Sequence, residues 1–177
     1  MAEPNLDQFA KHIARAAQAA QREIGATFGP PEEGNRASNA NAIVPAILFK
    51  GTRGYLEKIV NQANGAYSQG WFDASAVMIR RLLETMIIEA FEKHARAGEI
   101  QNKDGDFLYL RDLITKTIGC TAWNLSRNTK QALPHLKDVG DKSAHSRRFN
   151  AVRSDLDSIK ADLRCVAEEL LSLAGMR

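Results

Sequence analysis

A basic, polar segment at residues 137–153 carries the side chains best suited to hold a phosphate group. It contains five Lys or Arg residues and two Asp residues, and this surplus equals the formal net charge of +3 of the whole chain. The rest of the chain is therefore electrically balanced. Guanidinium and ammonium groups bind phosphate through charge-assisted hydrogen bonds, so this basic segment is the first candidate for a binding site. Its candidate residues are Lys137, Asp141, Lys142, His145, Arg147, Arg148 and Arg153.

A second set of ionisable residues falls on the longest predicted helix, residues 71–97. At about 100° per residue, Asp73, Arg80 and Glu84 share one arc, here called the interior stripe. Arg80 and Glu84 are four residues apart and can form an ion pair, which half-buried charges require. The stripe is either a structural ion pair or, with His145, the wall of a polar cleft. The predicted solvent face of the same helix consists of Arg81, Thr85, Glu89, Glu92 and Arg96.

Apolar residues recur with a helical period along most of the chain, and no alternating strand pattern of useful length is present. The fold class is therefore predicted as all-α, an antiparallel bundle of four to five helices with an extra N-terminal helical arm. Pro134 predicts a kink in, or a late start of, the helix that precedes the basic segment, and the segment itself is expected to form an elbow. The predicted organisation is an arm at residues 1–25, a flexible linker at 26–51 and the bundle at 52–177.

Composition limits the protein class. With 177 residues, 44% of them hydrophobic and 25% charged, the chain is typical of one soluble domain. Cys120 and Cys165 stand alone, outside any Cys-x-x-Cys spacing, so neither a metal site nor a cofactor is predicted. The first residues lack the basic and apolar regions of a secretory signal, which favours a cytoplasmic protein without membrane contact. The sequence pI near 8.9 permits a nucleic-acid partner without requiring one.

Two strings resemble elements of one family. Residues 66–84, AYSQGWFDASAVMIRRLLE, resemble a pattern of a tyrosine, a short turn and a small-residue-rich helix with Arg and Leu-Glu. Residues 140–145, GDKSAH, are similar to the Gly-Asn-x-Ala-Ala-His element before that family's last helix. The family is domain-of-unknown-function family 4145, a helical module similar to the HEPN superfamily of nucleotide-binding domains. The resemblance covers roughly residues 55–174 and implies a helical bundle, commonly a homodimer, often found with restriction and other anti-phage systems.

The resemblance also implies where an active centre would lie. In the catalytic branch of the superfamily, an Arg separated from a His by four to six intervening residues forms a metal-independent RNase centre, usually across a dimer. Counting back from His145, those positions hold Gly140, Val139 and Asp138, and Lys137 lies one residue too early. Asp141 occupies the place where the family usually has Asn. The motif is incomplete, and the sequence therefore favours binding over cleavage.

Three functions follow from these patterns. The first is a helical module that binds nucleic acid or a nucleotide, with Arg147, Arg148 and Arg153 on phosphates. The second is an RNase at a dimer interface, with His145 as general base or acid. The third is a structural dimerisation or scaffold protein whose residues 1–25 dock on a protein partner.

Overall fold

The computed structural model of the protein describes residues 11–20 and 42–177. The chain divides into two units, Met1–Glu33 and Gly34–Arg177. In the first unit, residues 11–20 form helix α1, which lies within the helix predicted for the N-terminal arm. The other residues of that arm, and residues 26–41 of the predicted linker, lie outside the described residues.

Residues 42–177 are all-α, which confirms the predicted fold class. Within this range five α-helices and two 3-10 turns follow one another, and no strand is present. The helices are α2 (Gly54–Ser68), α3 (Phe72–Lys93), α4 (Leu110–Gly119), α5 (Arg127–His145) and α6 (Arg153–Leu173). The 3-10 turns are Ala46–Phe49 and Ala97–Ile100.

Helix α3 is the centre of the bundle and packs against α2, α4, α5 and α6. Helices α2 and α3 form an antiparallel hairpin, in which the Ser75 hydroxyl donates to the carbonyl oxygen of Ala63 at 2.9 Å. Helices α5 and α6 are also antiparallel, because Ser126 at the start of α5 donates its hydroxyl to Glu169 near the end of α6 at 2.8 Å. A helix covered by four neighbours must be apolar around most of its circumference. The buried apolar residues of α3 are Ala76, Ile79, Leu82, Leu83, Met86, Ile87, Ala90 and Phe91.

Helix α3 ends four residues earlier than the sequence predicts. The predicted helix extends to residue 97, but the last helical residue is Lys93 and Ala95 adopts a left-handed conformation with φ 56°. The amide of Arg96 then donates to the carbonyl oxygen of Phe91 at 2.9 Å, which closes the helix as a Schellman motif does. Alanine is not a sequence signal for such an ending, because the left-handed conformation costs it about 1 kcal/mol.

Helix α5 continues through Pro134 to His145, so most of the predicted elbow is helical. The true turn is the loop at residues 146–152. Pro134 is exposed, so the helical hydrogen bond that it removes is lost at an exposed position, where the loss is least costly. Ser126 is the N-cap of this helix, since its hydroxyl accepts from the amide of Thr129 at 3.2 Å.

The predicted linker is wrong at its C-terminal end, because residues 42–51 belong to the bundle. Ile43, Val44, Leu48 and Phe49 are all buried in its core. Asn64 of α2 holds this stretch by accepting from the amide of Val44 and donating to its carbonyl oxygen, both at 2.9 Å. Pro45 interrupts the apolar run and prevents a regular helix, but a 3-10 turn directly after it still buries the apolar side chains.

Glu89 was expected on the solvent face of α3, and this expectation is wrong. The residue is 5% exposed, and its Oε2 accepts from Nε of Arg53 at 2.9 Å. Burial raises the pKa of Glu89 above its ordinary value, and the opposing effect of the Arg53 charge does not cancel that rise. A helical wheel assigned Glu89 to the correct arc, but it gave no indication that the start of α2 covers this part of the arc.

Arg53→Ala is expected to lower the free energy of unfolding by about 1 to 2 kcal/mol near pH 7, because it leaves a buried carboxylate without its partner. The loss should shrink near pH 4. The raised pKa means that the folded state binds the Glu89 proton more readily than the unfolded state does. The contribution of Glu89 is therefore most favourable below its ordinary pKa of 4.5 and declines as pH rises through the folded-state value.

Urea unfolding of the wild type and Arg53→Ala at both pH values measures this difference. Glu89→Gln is the matched control, because it removes the charge and keeps the size of the side chain. In the Glu89→Gln background, Arg53→Ala should cost the same at either pH. An equal loss at both pH values in the wild-type background would contradict the assignment.

Candidate functional site

Arg80 of the interior stripe joins α3 to the C-terminal part of α5. Its Nε donates to Oδ1 of Asp141 at 2.8 Å, and its Nη1 lies 4.0 Å from Oε2 of Glu84. All three side chains are half-buried. The predicted neighbourhood of the stripe and the basic segment is therefore present in the fold.

Asp141 is held by two cations, one on each carboxylate oxygen. Arg80 binds Oδ1, and Nζ of Lys137 lies 2.8 Å from Oδ2 and 2.9 Å from Oδ1 of Asp138. Partial burial raises the pKa of Asp141, but the hydrogen bonds from Lys137 and Arg80 outweigh that effect and hold the pKa below its usual value. The hydrogen bonds to Asp141 and Asp138 likewise raise the pKa of Lys137. Arg80 and Lys137 are thus neutralised inside the protein.

Gly140 sets the distance between α3 and α5. A Cβ atom at this position would lie 2.8 Å from Cβ of Arg80 and 3.2 Å from the carbonyl oxygen of Ala76. Only a residue without a side chain allows the two helices to approach this closely. The glycine of the GDKSAH string therefore brings the next residue, Asp141, within reach of Arg80.

The loop at residues 146–152 is held by three hydrogen bonds near its two ends. The amide of Phe149 donates to the Ser146 hydroxyl at 3.2 Å. Asp73, the third residue of the interior stripe, accepts from the amide of Ala151 at 3.0 Å, and Asp155 accepts from the amide of Val152 at 2.9 Å. Arg147 and Arg148 lie between these anchors, so the fold presents both on a constrained backbone.

Three cations of the basic segment have no internal partner among the described residues. Lys142, Arg147 and Arg148 are exposed, and among the residues that the structure describes their side chains form no ion pair and no hydrogen bond. Exposed guanidinium and ammonium groups without an internal carboxylate keep their full charge for an external anion. These three side chains can therefore bind an external anion without breaking an internal contact.

His145 and Glu84 are not brought together. Glu84 lies beside Arg80, whereas His145, at the last position of α5, is exposed and has no hydrogen-bond or ion-pair partner within residues 42–177. The polar cleft that would contain both residues is therefore not formed within residues 42–177. General acid–base catalysis requires a group that orients the imidazole, and the described part of the chain places none beside it.

A polar cluster that the sequence did not single out surrounds the hydroxyl of Tyr67. The ring is 1% exposed, and the hydroxyl donates to Oδ1 of Asp157. It also accepts from Nη1 of Arg153 at 3.0 Å and from Nζ of Lys160 at 2.9 Å. Arg153 was predicted as a binding residue, but Asp157 and Lys160 were missed. Their signal was the i, i+4, i+7 spacing on α6, which places all three on one helical face.

Aromatic rings fix Arg153 in this cluster. Its guanidinium carbon lies 4.9 Å from the centroid of the Tyr67 ring and 5.4 Å from that of Phe72. Because Phe72 begins α3 and Asp73 follows it, the cluster is continuous with the anchor of the loop at residues 146–152. The basic loop and the Tyr67 cluster therefore occupy the same end of the bundle.

Comparison with known proteins found no relative of this chain. No family model, curated protein or solved structure matches the chain. The resemblance to family 4145 and to the HEPN superfamily thus stays a prediction. Within residues 11–20 and 42–177, no three His, Cys, Asp or Glu side chains are grouped as a metal would require, and no helix has the length and apolar character to cross a bilayer.

Proposed function

We propose that this chain is a helical module that binds phosphate groups of nucleic acid or nucleotides and does not cleave them. The observation that carries this proposal is the set of exposed, internally unpaired cations Lys142, Arg147 and Arg148 on a loop and helix end that the interior stripe holds in place. Phosphate contacts of this kind supply most of the sequence-independent affinity of proteins for nucleic acid.

The internal ion pairs support this proposal because they separate structural charges from available ones. Arg80 and Lys137 are balanced by Asp138 and Asp141 within one network. The remaining cations of the basic segment therefore set the sign of the field at this surface. Such a positive surface attracts polyanions over several ångströms and is screened by salt.

The position of His145 favours binding over cleavage. A ribonuclease centre needs a general base near a group that stabilises the developing charge, and both must be oriented. In the described part of one chain, His145 is exposed and has no orienting partner. The exposed arginines can neutralise a phosphate, but neutralisation alone does not activate a 2′-hydroxyl.

The family resemblance extends the proposal to the biological setting. It implies a homodimer in a bacterial defence system of the restriction type. We also propose a cytoplasmic location and a protein partner for residues 1–25. Gel filtration of the full chain beside a chain that begins at Ala42 would test the homodimer and the docking of residues 1–25. Loss of dimer on truncation would favour a docking arm.

The proposal predicts a salt-dependent affinity for oligonucleotides. If Lys142, Arg147, Arg148 and Arg153 each contact a phosphate of a single strand, log K plotted against log salt concentration should fall with a slope of about −3. Fluorescence anisotropy with a labelled single-stranded RNA measures the slope. The same RNA should stay intact through long incubation with the protein. A slope near zero would contradict binding through these cations, and RNA shortening that His145→Ala abolishes would instead support the RNase function.

A further inference from the structure

We propose that Arg153, Lys160 and Tyr67 form a second phosphate subsite beside the basic loop, and that Asp157 is an internal carboxylate that competes with the phosphate for this place. The inference rests on the proposed function and narrows it. A ligand that fills the loop and this subsite together must carry at least two phosphates. The preferred ligand is therefore a polynucleotide strand rather than a nucleoside monophosphate.

The geometry of the subsite is the first argument. Nη1 of Arg153 and Nζ of Lys160 lie 3.0 Å and 2.9 Å from the same oxygen atom, the hydroxyl of Tyr67. Two cations that converge on one point, with a hydroxyl between them, match the several acceptor oxygens of a single phosphate. This convergence distinguishes the cluster from a row of separate surface lysines.

The rigidity of the subsite is the second argument. Tyr67 is buried and packs edge-on against Phe72, with ring centroids 5.8 Å apart. The guanidinium of Arg153 lies over both rings, and Nζ of Lys160 lies 4.5 Å from the Tyr67 centroid. Long basic side chains lose rotamer entropy when they bind a ligand, and these two have already lost part of it. Tyr67 is thus a positioning residue for both cations.

The carboxylate of Asp157 is the third argument. Its Oδ1 accepts from Nζ of Lys160 at 2.8 Å and also from the Tyr67 hydroxyl. Hydrogen bonds from Lys160 and Tyr67 hold the pKa of Asp157 below its usual value, so the group is ionised at neutral pH. Its side chain is 43% exposed. An ionised, accessible carboxylate at this point occupies the donors that a phosphate would use and repels the phosphate.

The two subsites are separate. Within the described residues, Arg147 and Arg148 form no hydrogen bond, ion pair or ring contact with Tyr67, Arg153 or Lys160, so they are available to a different phosphate. The loop between them is anchored through Ala151 to Asp73. A strand with regularly spaced phosphates can bridge such a pair of subsites.

The test uses four variants of the full chain and one labelled 12-nucleotide RNA at fixed low salt. Asp157→Asn should tighten binding by about 3- to 10-fold, because it removes the competing charge and keeps the size of the side chain. Tyr67→Phe and Lys160→Ala should each weaken binding by about 3- to 10-fold. Asp162→Asn removes another half-exposed carboxylate of α6 and is the matched control, with an expected change below about 2-fold.

The opposite signs separate a binding role from a structural one. Asp157→Asn removes a contact from the folded protein, so a purely structural cluster would give unchanged or weaker binding. That result, or an Asp157→Asn effect no larger than that of Asp162→Asn, would overturn the second subsite. Thermal unfolding checks that each variant folds. Asp157→Asn and Lys160→Ala change half-exposed side chains, so they still test the proposal if Tyr67→Phe does not fold.

Competition experiments identify the ligand. The unlabelled 12-nucleotide RNA should displace the labelled RNA at concentrations far below those at which a nucleoside monophosphate or triphosphate does so. Equal competition by the triphosphate would overturn the assignment to a polynucleotide. If the wild type binds RNA and none of the three cluster variants changes the affinity, the second subsite is wrong and the proposed function stands. If neither the wild type nor Asp157→Asn binds RNA, the nucleoside monophosphate or the triphosphate at low salt, the proposed function itself is wrong.

Discussion

Gly140→Leu is expected to lower the free energy of unfolding by about 3 kcal/mol. Even a single methyl group at this position would lie 2.8 Å from Cβ of Arg80 and 3.2 Å from a backbone oxygen of α3. Neither atom is the end of a flexible side chain, so the two helices would have to separate. Overpacking at a helix contact costs about 1 to 3 kcal/mol or more. Separation of the helices would also break the ion pair between Arg80 and Asp141.

A matched glycine makes this prediction specific. Gly119 is also helical, at the end of α4, and a Cβ there would meet no atom within 4 Å. Gly119→Leu should therefore change the stability by less than about 1 kcal/mol. Gly140→Ala should still be destabilising, although alanine in a helix is normally favoured over glycine by about 1 kcal/mol. Urea unfolding measures all three variants, and equal midpoints for the substitutions at the two glycines would contradict the close packing of α3 on α5.

The sequence predicted the fold because hydrophobic periodicity determines which helices form. It also placed the interior stripe next to the basic segment, and the Arg80–Asp141 pair shows that this neighbourhood exists. Both residues were candidates from their types and spacing alone. A charged residue on the inner arc of a long helix needs a partner, and this requirement makes such positions visible in a sequence.

Other features could not be predicted because they depend on contacts between distant parts of the chain. The burial of Glu89 requires the start of α2 to cover the C-terminal part of α3, and no local pattern shows this. The core position of Phe49 depends on Asn64, which holds the preceding stretch by its side chain. The end of α3 rests on a left-handed alanine, which is a rare choice for that position.

The Tyr67 cluster illustrates the same limit at the candidate site. Tyr67 and Lys160 are separated by 93 residues in the sequence. Each residue alone resembles many others of its type, and only the fold, in which the Tyr67 side chain reaches α6, brings them together. A sequence can indicate that a helical face is basic, but it cannot identify the aromatic ring that lies beneath it.

Arg147→Glu combined with Arg148→Glu is expected to weaken RNA binding by about 100-fold at low salt. Two cations that are exposed and have no internal partner are replaced by two anions, so the variant loses two phosphate contacts and gains repulsion. Neither side chain contributes a hydrogen bond or an ion pair to the described part of the fold, so the free energy of unfolding should change by less than about 0.5 kcal/mol. Circular dichroism should show unchanged helical content.

Arg111→Glu combined with Arg127→Glu is the matched control because it changes the net charge equally. Arg127 begins α5 and is separated from His145 by about 27 Å along the helix. Arg111 lies in the first turn of α4. The chain enters this turn from the C-terminal end of α3, through a segment in which the amide of Leu108 donates to the carbonyl oxygen of Ile100. Both arginines are exposed, and the control should weaken binding by less than about 3-fold through the overall charge alone.

The salt dependence of RNA affinity in these two double variants is the most direct test of a phosphate-binding surface at residues 142–153. The slope of log K against log salt concentration should become shallower by about 1.4 in the Arg147/Arg148 variant, because about 0.7 is lost for each single-strand phosphate contact. The Arg111/Arg127 variant should keep the slope of the wild type. Equal slopes for the two variants would contradict the account, since they would show that net charge, and not the anchored basic loop, holds the ligand.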